Sequence, residues 1–342
     1  MNRQGHAIAL AVIVVAVLGA SVARVQSPGS FAAQIADLSE PGGYFDTDNL
    51  ISNERSYLRV LPELARRNVH GGAYIGVGPD QNFSYIAEIR PSIAFIIDVR
   101  RDNLLLHLLF KALFAEARTR VEYVALLFGR ATPDGVERWK GAPVEQIARA
   151  VEQQPLRQPL DALRKHVDAT VKSFGVPLSA ADFGTIDRFH RRFIDAGFEL
   201  QFQSTGRPPQ FYYPTYRELL LETDGEGHQR NYLASETSFQ FVKALEAHDR
   251  VIPVVGNVAG PAAMAAVART LAARGEQLSA FYASNVEFYL ERQGTYQRFA
   301  ANLARMPRAP NSVLIRSIFG RGEGSVSELQ PIAELLPAAA VR

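Results

Sequence analysis

One segment, residues 71–103, restricts the possible folds of this chain more than any other. Residues 73–78 form a short apolar run that ends in glycines, and residues 93–99 form a second apolar run. Between them, residues 79–88 have the pattern of a helix, with Pro79 suited to its first turn. Two buried strands joined by a helix form a β-α-β crossover, which requires a parallel sheet covered on both faces. The predicted fold class is therefore α/β, with a Rossmann-like doubly wound, mostly parallel sheet.

The rest of the chain extends this prediction. A second β-α-β unit is expected from strands at 250–255 and 279–283, joined by an alanine-rich helix at 261–274, and a last strand is expected at 312–318. Further helices are predicted at 54–67 (with Asn53 as its cap), 104–117, 121–128 and 296–305. The predicted divisions are a signal or anchor at 1–23, a linker at 24–50, one α/β domain at 51–325 with a polar helical insertion at about 131–200, and a tail at 326–342.

The N-terminus has the composition of an export signal. Arg3 precedes an uncharged run over residues 7–23, and Ser21 and Ala23 have the small side chains of a cleavage site. A cleaved secretory signal and an uncleaved single-span anchor are both compatible with this run, which is near the lower length limit for spanning a bilayer. Either one predicts an exported domain, periplasmic or anchored to the inner membrane and facing outward, whose N-terminal segment contacts or crosses the membrane.

Composition excludes several classes of function. With 37 basic and 35 acidic residues the formal net charge is +2, so no nucleic-acid partner is expected. The chain has no cysteine, and its seven histidines lack the spacing of metal ligands, so no metal is expected. His107, in an apolar helix, is interpreted as a core residue. No G-x-S-x-G segment is present, which argues against a serine hydrolase.

The first candidate site follows the first strand. Gly76 and Gly78 allow close approach of a ligand to the backbone, and the helix that follows, with Asp80, Gln81 and Asn82 in its first turn, offers free N–H groups. Gln81 stands where a dinucleotide fingerprint would have its third glycine, which disfavours a nicotinamide-dependent oxidoreductase. A tight strand–helix turn without a ligand explains the same glycines.

The second candidate is Asp98, at the end of the second strand. An acid at this position can accept hydrogen bonds from both hydroxyls of a ribose. Arg100 could pair with Asp98 or with a carboxylate of a ligand. The alternative is that Asp98, Asp102 or Asn103 caps the next helix.

The third candidate follows the strand at 279–283. If this segment stays extended, alternation places Asn285, Glu287 and Tyr289 on one face. These side chains could contact a substrate, or they could satisfy backbone groups of the neighbouring loop.

Several motifs, in matching order over residues 45–320, resemble those of an uncharacterised bacterial family with a class I methyltransferase-like fold, which includes a leptospiral lipoprotein. The motifs are Tyr74-Ile75-Gly76-Val77-Gly78-Pro79-Asp80-Gln81-Asn82, Phe95-Ile96-Ile97-Asp98-Val99-Arg100-Arg101-Asp102-Asn103, Asn231-Tyr232-Leu233-Ala234-Ser235-Glu236, Val254-Val255-Gly256-Asn257-Val258-Ala259-Gly260-Pro261 and Phe281-Tyr282-Ala283-Ser284-Asn285-Val286-Glu287-Phe288-Tyr289-Leu290.

The resemblance implies an S-adenosylmethionine site. Gly76 and Gly78 match the glycines that curl around the cofactor, and Asp98 matches the acid that holds its ribose. Asn257, expected after a central strand, matches the polar residue that faces the transferable methyl group. The acid that usually precedes the glycines is replaced by Tyr74-Ile75, and Asn257 stands where an aspartate is expected. An asparagine cannot act as a general base, so catalysis is in greater doubt than the fold.

Three functions therefore remain open. The chain could be a methyltransferase-like enzyme, with Asn257, Glu287 and Tyr289 as catalytic candidates. It could instead be an exported binding or envelope protein that keeps the fold without methyl transfer, and a nicotinamide-dependent oxidoreductase is the third alternative. A small-molecule ligand is the expected partner in each case, and the sequence leaves the acceptor and the oligomeric state open.

Overall fold

A six-stranded sheet lies at the centre of this protein. The structure is a computed structural model, and it describes residues 29–47, 49–207, 210, 212–319 and 324–335. The strands are β1 (Ala73–Gly76), β2 (Ile93–Asp98), β3 (Val251–Val255), β4 (Leu278–Ser284), β5 (Arg308–Phe319) and β6 (Ser325–Pro331). Their order in the sheet is β3-β2-β1-β4-β5-β6. Strands β1 to β5 are parallel to one another, and β6 is antiparallel to β5. The predicted α/β class with a mostly parallel sheet is confirmed, and the strand order is compatible with a Rossmann-like arrangement.

Fourteen α-helices connect and cover these strands within the described residues. They are α1 (Phe31–Leu38), α2 (Leu61–Arg66), α3 (Gln81–Ile89), α4 (Arg101–Glu116), α5 (Arg120–Leu127), α6 (Val144–Glu152), α7 (Leu160–Ser173), α8 (Ala180–Ala196), α9 (Tyr216–Leu221), α10 (Glu236–Ala247), α11 (Ala263–Arg274), α12 (Val286–Arg292), α13 (Tyr296–Ala304) and α14 (Ile332–Leu335). Short 3₁₀ turns lie at Tyr57–Val60, Val136–Gly141 and Gly197–Glu199.

The central strands are buried over nearly their whole length. Every residue of β1 and β3 is buried, and in β2 only the terminal Asp98 is partly exposed. Because successive side chains point to opposite faces of a strand, this pattern requires cover on both faces of the sheet. Helix α4, whose residues from Asn103 to Phe114 are buried, packs against β2 and β3.

A buried arginine ties the segment after α5 to the rest of the domain. The guanidinium of Arg120 is 2% exposed and donates to backbone carbonyl oxygens from two segments. The acceptors are Leu233, Ala234, Trp139, Lys140 and Ala142. Burial of this charge is tolerated because carbonyl oxygens replace its water, and the contacts fix the start of the polar segment 131–200 beside the sheet.

The structure corrects three of the predicted boundaries. The linker predicted at 24–50 contains helix α1, whose buried face of Phe31, Ile35 and Leu38 packs on β3 and α11. The tail predicted from residue 326 contains β6, an edge strand that pairs with β5 and in which the buried Ser325 and Ser327 alternate with the exposed Val326 and Glu328. The helix predicted at 54–67 is a 3₁₀ turn followed by the shorter α2, which Asn53 does not cap.

The predicted signal or anchor at 1–23 lies outside the described residues. In the part of the chain that the structure describes, every helix is too short or too polar to cross a membrane.

Candidate functional site

A cavity of about 320 Å³ lies at the carboxyl edge of the sheet. The ends of four adjacent parallel strands and the residues directly after them line it. These residues are Val77, Gly78, Asp98, Val99, Arg100, Gly256, Asn257, Val258, Ser284, Asn285 and Val286. From β1 the chain adds β2 and β3 on one side, and it then returns to add β4, β5 and β6 on the other side. The strand order therefore reverses between β1 and β4, and open α/β sheets bind ligands in the crevice at such a switch point. The volume is at the low end of the range for ligand pockets, so the cavity accommodates one small ligand.

The strand order fixes the sequence of chemical groups along this edge. Asn257 follows β3, Asp98 ends β2, Gly78 follows β1 and Asn285 follows β4. The expectation that Asn257 follows a central strand is wrong, because β3 is an edge strand of the sheet. The central position next to β1 belongs to β4, and therefore to Asn285.

The prediction that Gly76 faces the ligand is wrong. A Cβ atom at Gly76 would lie 1.9 Å from Asn82 Oδ1, so this glycine makes room for the Asn82 side chain. The Asn82 amide is fully buried and donates to the carbonyl oxygens of Val77, Gly78 and Pro79. Gly76 and Asn82 therefore shape the strand–helix turn, and neither lines the cavity.

Gly78 does line the cavity, and its backbone conformation is left-handed, with φ at 84°. The Nε2–H of His107 donates to the Gly78 carbonyl oxygen over 2.9 Å. Burial lowers the pKa of His107 to about 4, so the ring is neutral at physiological pH. The interpretation of His107 as a core residue is confirmed, since it is 2% exposed, and its ring also fixes the glycine turn beneath the cavity.

Asp80 also points away from the cavity. Its Oδ2 accepts hydrogen bonds from the hydroxyls of Tyr216 and Tyr232, at 3.1 and 3.2 Å. Burial raises the pKa of this carboxyl to about 6. The prediction that Asp80 contacts a cofactor is corrected, because its side chain is used in the core between α3, α9 and the segment before α10.

Gln81 lines the cavity and carries an unsatisfied acceptor. Its Nε2 donates to the Tyr282 hydroxyl over 3.3 Å, while its buried Oε1 has no hydrogen-bond partner among the described residues. The residue is 6% exposed. Buried polar atoms are nearly always paired, so this carbonyl oxygen is available to a donor group of a ligand once the side chain turns toward the cavity.

Asp98 and Arg100 form a buried ion pair at the cavity wall. Oδ1 of Asp98 accepts the backbone N–H and the Nε–H of Arg100, and Oδ2 accepts its Nη2–H over 2.7 Å. Arg100 also donates to the Thr47 carbonyl oxygen over 2.9 Å. A carboxylate has about four lone-pair positions, so Oδ2 keeps a free position for a ligand hydroxyl.

A buried carboxyl, that of Glu54, lies behind the end of β4. Glu54 is 0% exposed and accepts hydrogen bonds from the hydroxyls of Tyr282 and Ser284. Burial raises the pKa of Glu54. Ser284 lines the cavity in a left-handed conformation, with φ at 53°, which is strained for a residue with a Cβ atom. Glu54 and Ser284 are far apart in the chain, and no local pattern connects them.

The segment after β4 is helical, so the predicted alternation of Asn285, Glu287 and Tyr289 is wrong. Asn285 and Tyr289 line the cavity because they are four residues apart, next to each other on one face of α12. Glu287 lies elsewhere and pairs with Arg316 over 2.8 Å. Burial raises the pKa of Glu287, and the ion pair opposes that shift.

The segment before α2 closes one side of the cavity. It contributes the lining residues Gly43, Tyr44, Phe45, Thr47, Asn49, Ser52 and Asn53. The start of this segment is held by Glu40. Its carboxylate accepts the backbone N–H of Asn257, after β3, and that of Ala263, at the start of α11. Gly43 N–H donates to the Val99 carbonyl oxygen over 2.7 Å, which brings the segment across the end of β2.

A cluster of possible metal ligands lies away from this cavity, at Asp224, Glu226 and His228. The Asp224 carboxylate accepts the backbone N–H groups of Glu226 and His228 and pairs with Arg230. The carboxylate is therefore used to hold its own turn.

A family model described as a domain of unknown function, DUF7790, matches residues 50–173 and 187–334. These two ranges include the four strand ends of the cavity, Glu54 and the buried Arg120. No curated protein matches the chain.

Proposed function

The chain belongs to the DUF7790 family, and from its cavity we propose that it binds S-adenosylmethionine, or another adenosine-containing ligand of similar shape, as class I methyltransferases do. The observation that carries this proposal is the order of groups along the sheet edge: an amide, a carboxylate, a glycine turn and a second amide. An elongated ligand along this edge meets them in that order.

Each part of such a ligand has a suitable neighbour. Asp98 Oδ2 offers an acceptor to a ribose hydroxyl, and Asn257 on the adjacent strand offers an amide to the base. The left-handed turn at Gly78 leaves the backbone accessible to the chain beyond the ribose. The unpaired Oε1 of Gln81 would accept from the ammonium group of the amino-acid end once this side chain turns toward the ligand.

The charges of the cavity favour this ligand over a dinucleotide. Among the described residues that line it, Asp98 and Arg100 carry the formal charges, and they neutralise each other. A pyrophosphate would find no unpaired cation among those lining residues, and Gln81 would stand against it in place of a glycine. The nicotinamide-dependent alternative is therefore the weaker one.

A specific observation also favours the second candidate, an exported binding protein without catalysis. Asp98, the one carboxylate among the described lining residues, is already paired, and no histidine is among them. A general base must reach the proton that it removes. Cell fractionation that follows the intact and cleaved N-terminus tests the export part of this proposal, and a chain found only in the cytoplasm would contradict it.

The binding proposal is tested by thermal unfolding of the purified protein with S-adenosylmethionine, S-adenosylhomocysteine, adenosine or NADH. At a concentration about 100 times the Kd, a ligand stabilises the folded state by about 2.7 kcal/mol, which raises the Tm by several degrees. We expect this increase with the two adenosyl ligands and not with NADH.

Two matched variants locate the ligand. Asp98→Asn should abolish the increase in Tm, because it weakens the acceptor for the ribose. Asp182→Asn should retain it, although it also removes a carboxylate that pairs with an arginine, Arg101, outside the cavity. An increase with NADH alone, or an equal loss in both variants, would contradict the proposal.

A further inference from the structure

Six aromatic side chains line the cavity or contact an aromatic residue that lines it. We call Tyr44, Phe45, Phe202, Tyr213, Phe288 and Tyr289 the aromatic collar. Four of them line the cavity itself: Tyr44, Phe45, Phe202 and Tyr289. The ring of Tyr289 contacts the rings of Phe45 and Phe288, with centroids 4.9 and 5.4 Å apart. Phe202 and Tyr213 form a further pair at 4.9 Å. The collar is therefore continuous with the cavity wall.

Part of this collar is exposed to solvent. Tyr44 is 79% exposed and Phe288 is 55% exposed, and they are the two most exposed large apolar side chains of the described residues. Single exposed apolar residues are common on protein surfaces. Exposed rings that adjoin a ligand-sized cavity are a different case, because apolar patches at such positions mark binding sites.

The two arginines next to the collar are each held by a neighbouring group. Arg207 pairs with Asp46 over 2.7 Å, and the guanidinium of Arg292 lies over the Phe288 ring, 5.3 Å from its centroid. Flat aromatic faces of this kind bind planar, uncharged groups by stacking and by edge-to-face contacts. The cavity itself holds only one small ligand, so a second molecule has to bind at its mouth.

We propose that the aromatic collar is a second subsite, which binds an uncharged small molecule with a planar apolar ring system. This inference rests on the proposed adenosyl site in one respect: the collar ligand would be the methyl acceptor, with its reactive group directed to Asn285 and Ser284. The observation that carries it, a set of aromatic residues that line and adjoin the cavity, is independent of the identity of the inner ligand.

Fluorescence titration with N-phenyl-1-naphthylamine, a planar uncharged probe, tests the proposal. The double variant Tyr44→Ser/Phe288→Ser should raise the Kd of the probe about tenfold, and both positions are exposed, so the fold should be retained. The control is Ile318→Ser/Val326→Ser, which removes an exposed apolar pair, 42% and 41% exposed, from the β5–β6 edge. The control should leave the Kd unchanged.

The thermal shift with S-adenosylhomocysteine is measured on the same proteins and separates the two proposals. Weaker probe binding by the collar variant supports the second subsite, and Phe288→Ser alone, whose side chain does not line the cavity, should keep the thermal shift of the wild type. If the wild type shows no shift but the probe result holds, the adenosyl proposal fails and the collar proposal stands. Equal probe binding by wild type and collar variant would overturn the collar proposal. So would a collar variant that loses only binding to phosphatidylcholine vesicles, since the collar would then be a membrane contact.

Discussion

Replacing Asp80 by asparagine tests the assignment of this residue to the core rather than to the ligand site. The wild-type carboxyl is buried against the hydroxyls of Tyr216 and Tyr232, and its pKa is raised from 3.8 to about 6. An acid whose pKa is higher in the folded state stabilises the fold fully only below its unfolded pKa. This stabilisation is lost as the pH rises from about 4 to about 6, because the unfolded state then ionises first.

The pKa difference sets the magnitude. About two pKa units at about 1.36 kcal/mol each correspond to ~3 kcal/mol, of which a small part is already lost at pH 4. The asparagine side chain of Asp80→Asn would keep the size of the protonated carboxyl without its titration. The free energy of unfolding of Asp80→Asn, relative to wild type, should therefore increase by ~2–3 kcal/mol between about pH 4 and about pH 8.

Urea unfolding at a series of pH values measures this difference. Asp182→Asn is a control of opposite sign, because the Arg101 side chain holds the pKa of Asp182 down, at about 2. Its relative stability should be lowest near neutral pH and recover as the pH falls toward 2. A flat difference for Asp80→Asn would refute the reasoning, since it would mean that solvent or a ligand reaches the carboxylate. Loss of the adenosyl-induced increase in Tm in this variant would do the same.

Two further predictions concern residues around the cavity. Gly76→Ala should destabilise the protein by about 2–4 kcal/mol, because the new Cβ atom displaces the buried Asn82 amide. Its control, Gly184→Ala at an open helix position, should stabilise the protein by about 0.5–1 kcal/mol. Equal changes in Tm for the two variants would contradict this. Glu54→Ala should cost about 2–4 kcal/mol in urea unfolding, because the buried hydroxyls of Tyr282 and Ser284 then lose their carboxylate acceptor. Glu54→Gln should cost less. Because burial raises the Glu54 pKa, the free energy of unfolding of Glu54→Gln relative to wild type should increase as the pH rises above about 4.5. An equal cost for Glu54→Ala and Glu54→Gln would show that the side chain does not hold β4.

The carboxyl edge of the sheet was partly predictable from the sequence. A strand that ends at Asp98 and a glycine turn at Gly78 follow from local apolar runs and their breaks, and both residues line the cavity. Asn285 and Tyr289 also line the cavity, but the prediction for them depends on an extended segment, and the observed segment is a helix. A spacing of four residues places side chains together in a helix and a spacing of two does so in a strand, so the residue pair alone did not decide between them.

Other assignments failed because they depended on contacts between distant segments. Gly76 and Asp80 belong to the same motif as Gly78, yet Asn82 fills the space at Gly76, and Asp80 turns toward Tyr216 and Tyr232. Nothing in the motif shows which of its members face the ligand. The edge strand β6 escaped prediction because its alternating serines bury little apolar surface, and it is defined by pairing with β5.

By itself, the sequence determined the α/β class, the parallel β-α-β unit and the strand ends at which a ligand could bind. These features arise from apolar periodicity over a few neighbouring residues. The order of the strands, the position of Asn257 at the sheet edge, the contact between Glu54 and Ser284 and the aromatic collar were decided only by the tertiary structure. Each of them joins residues far apart in the chain, and the direction of a side chain there is fixed by the packing of the segments that meet around it.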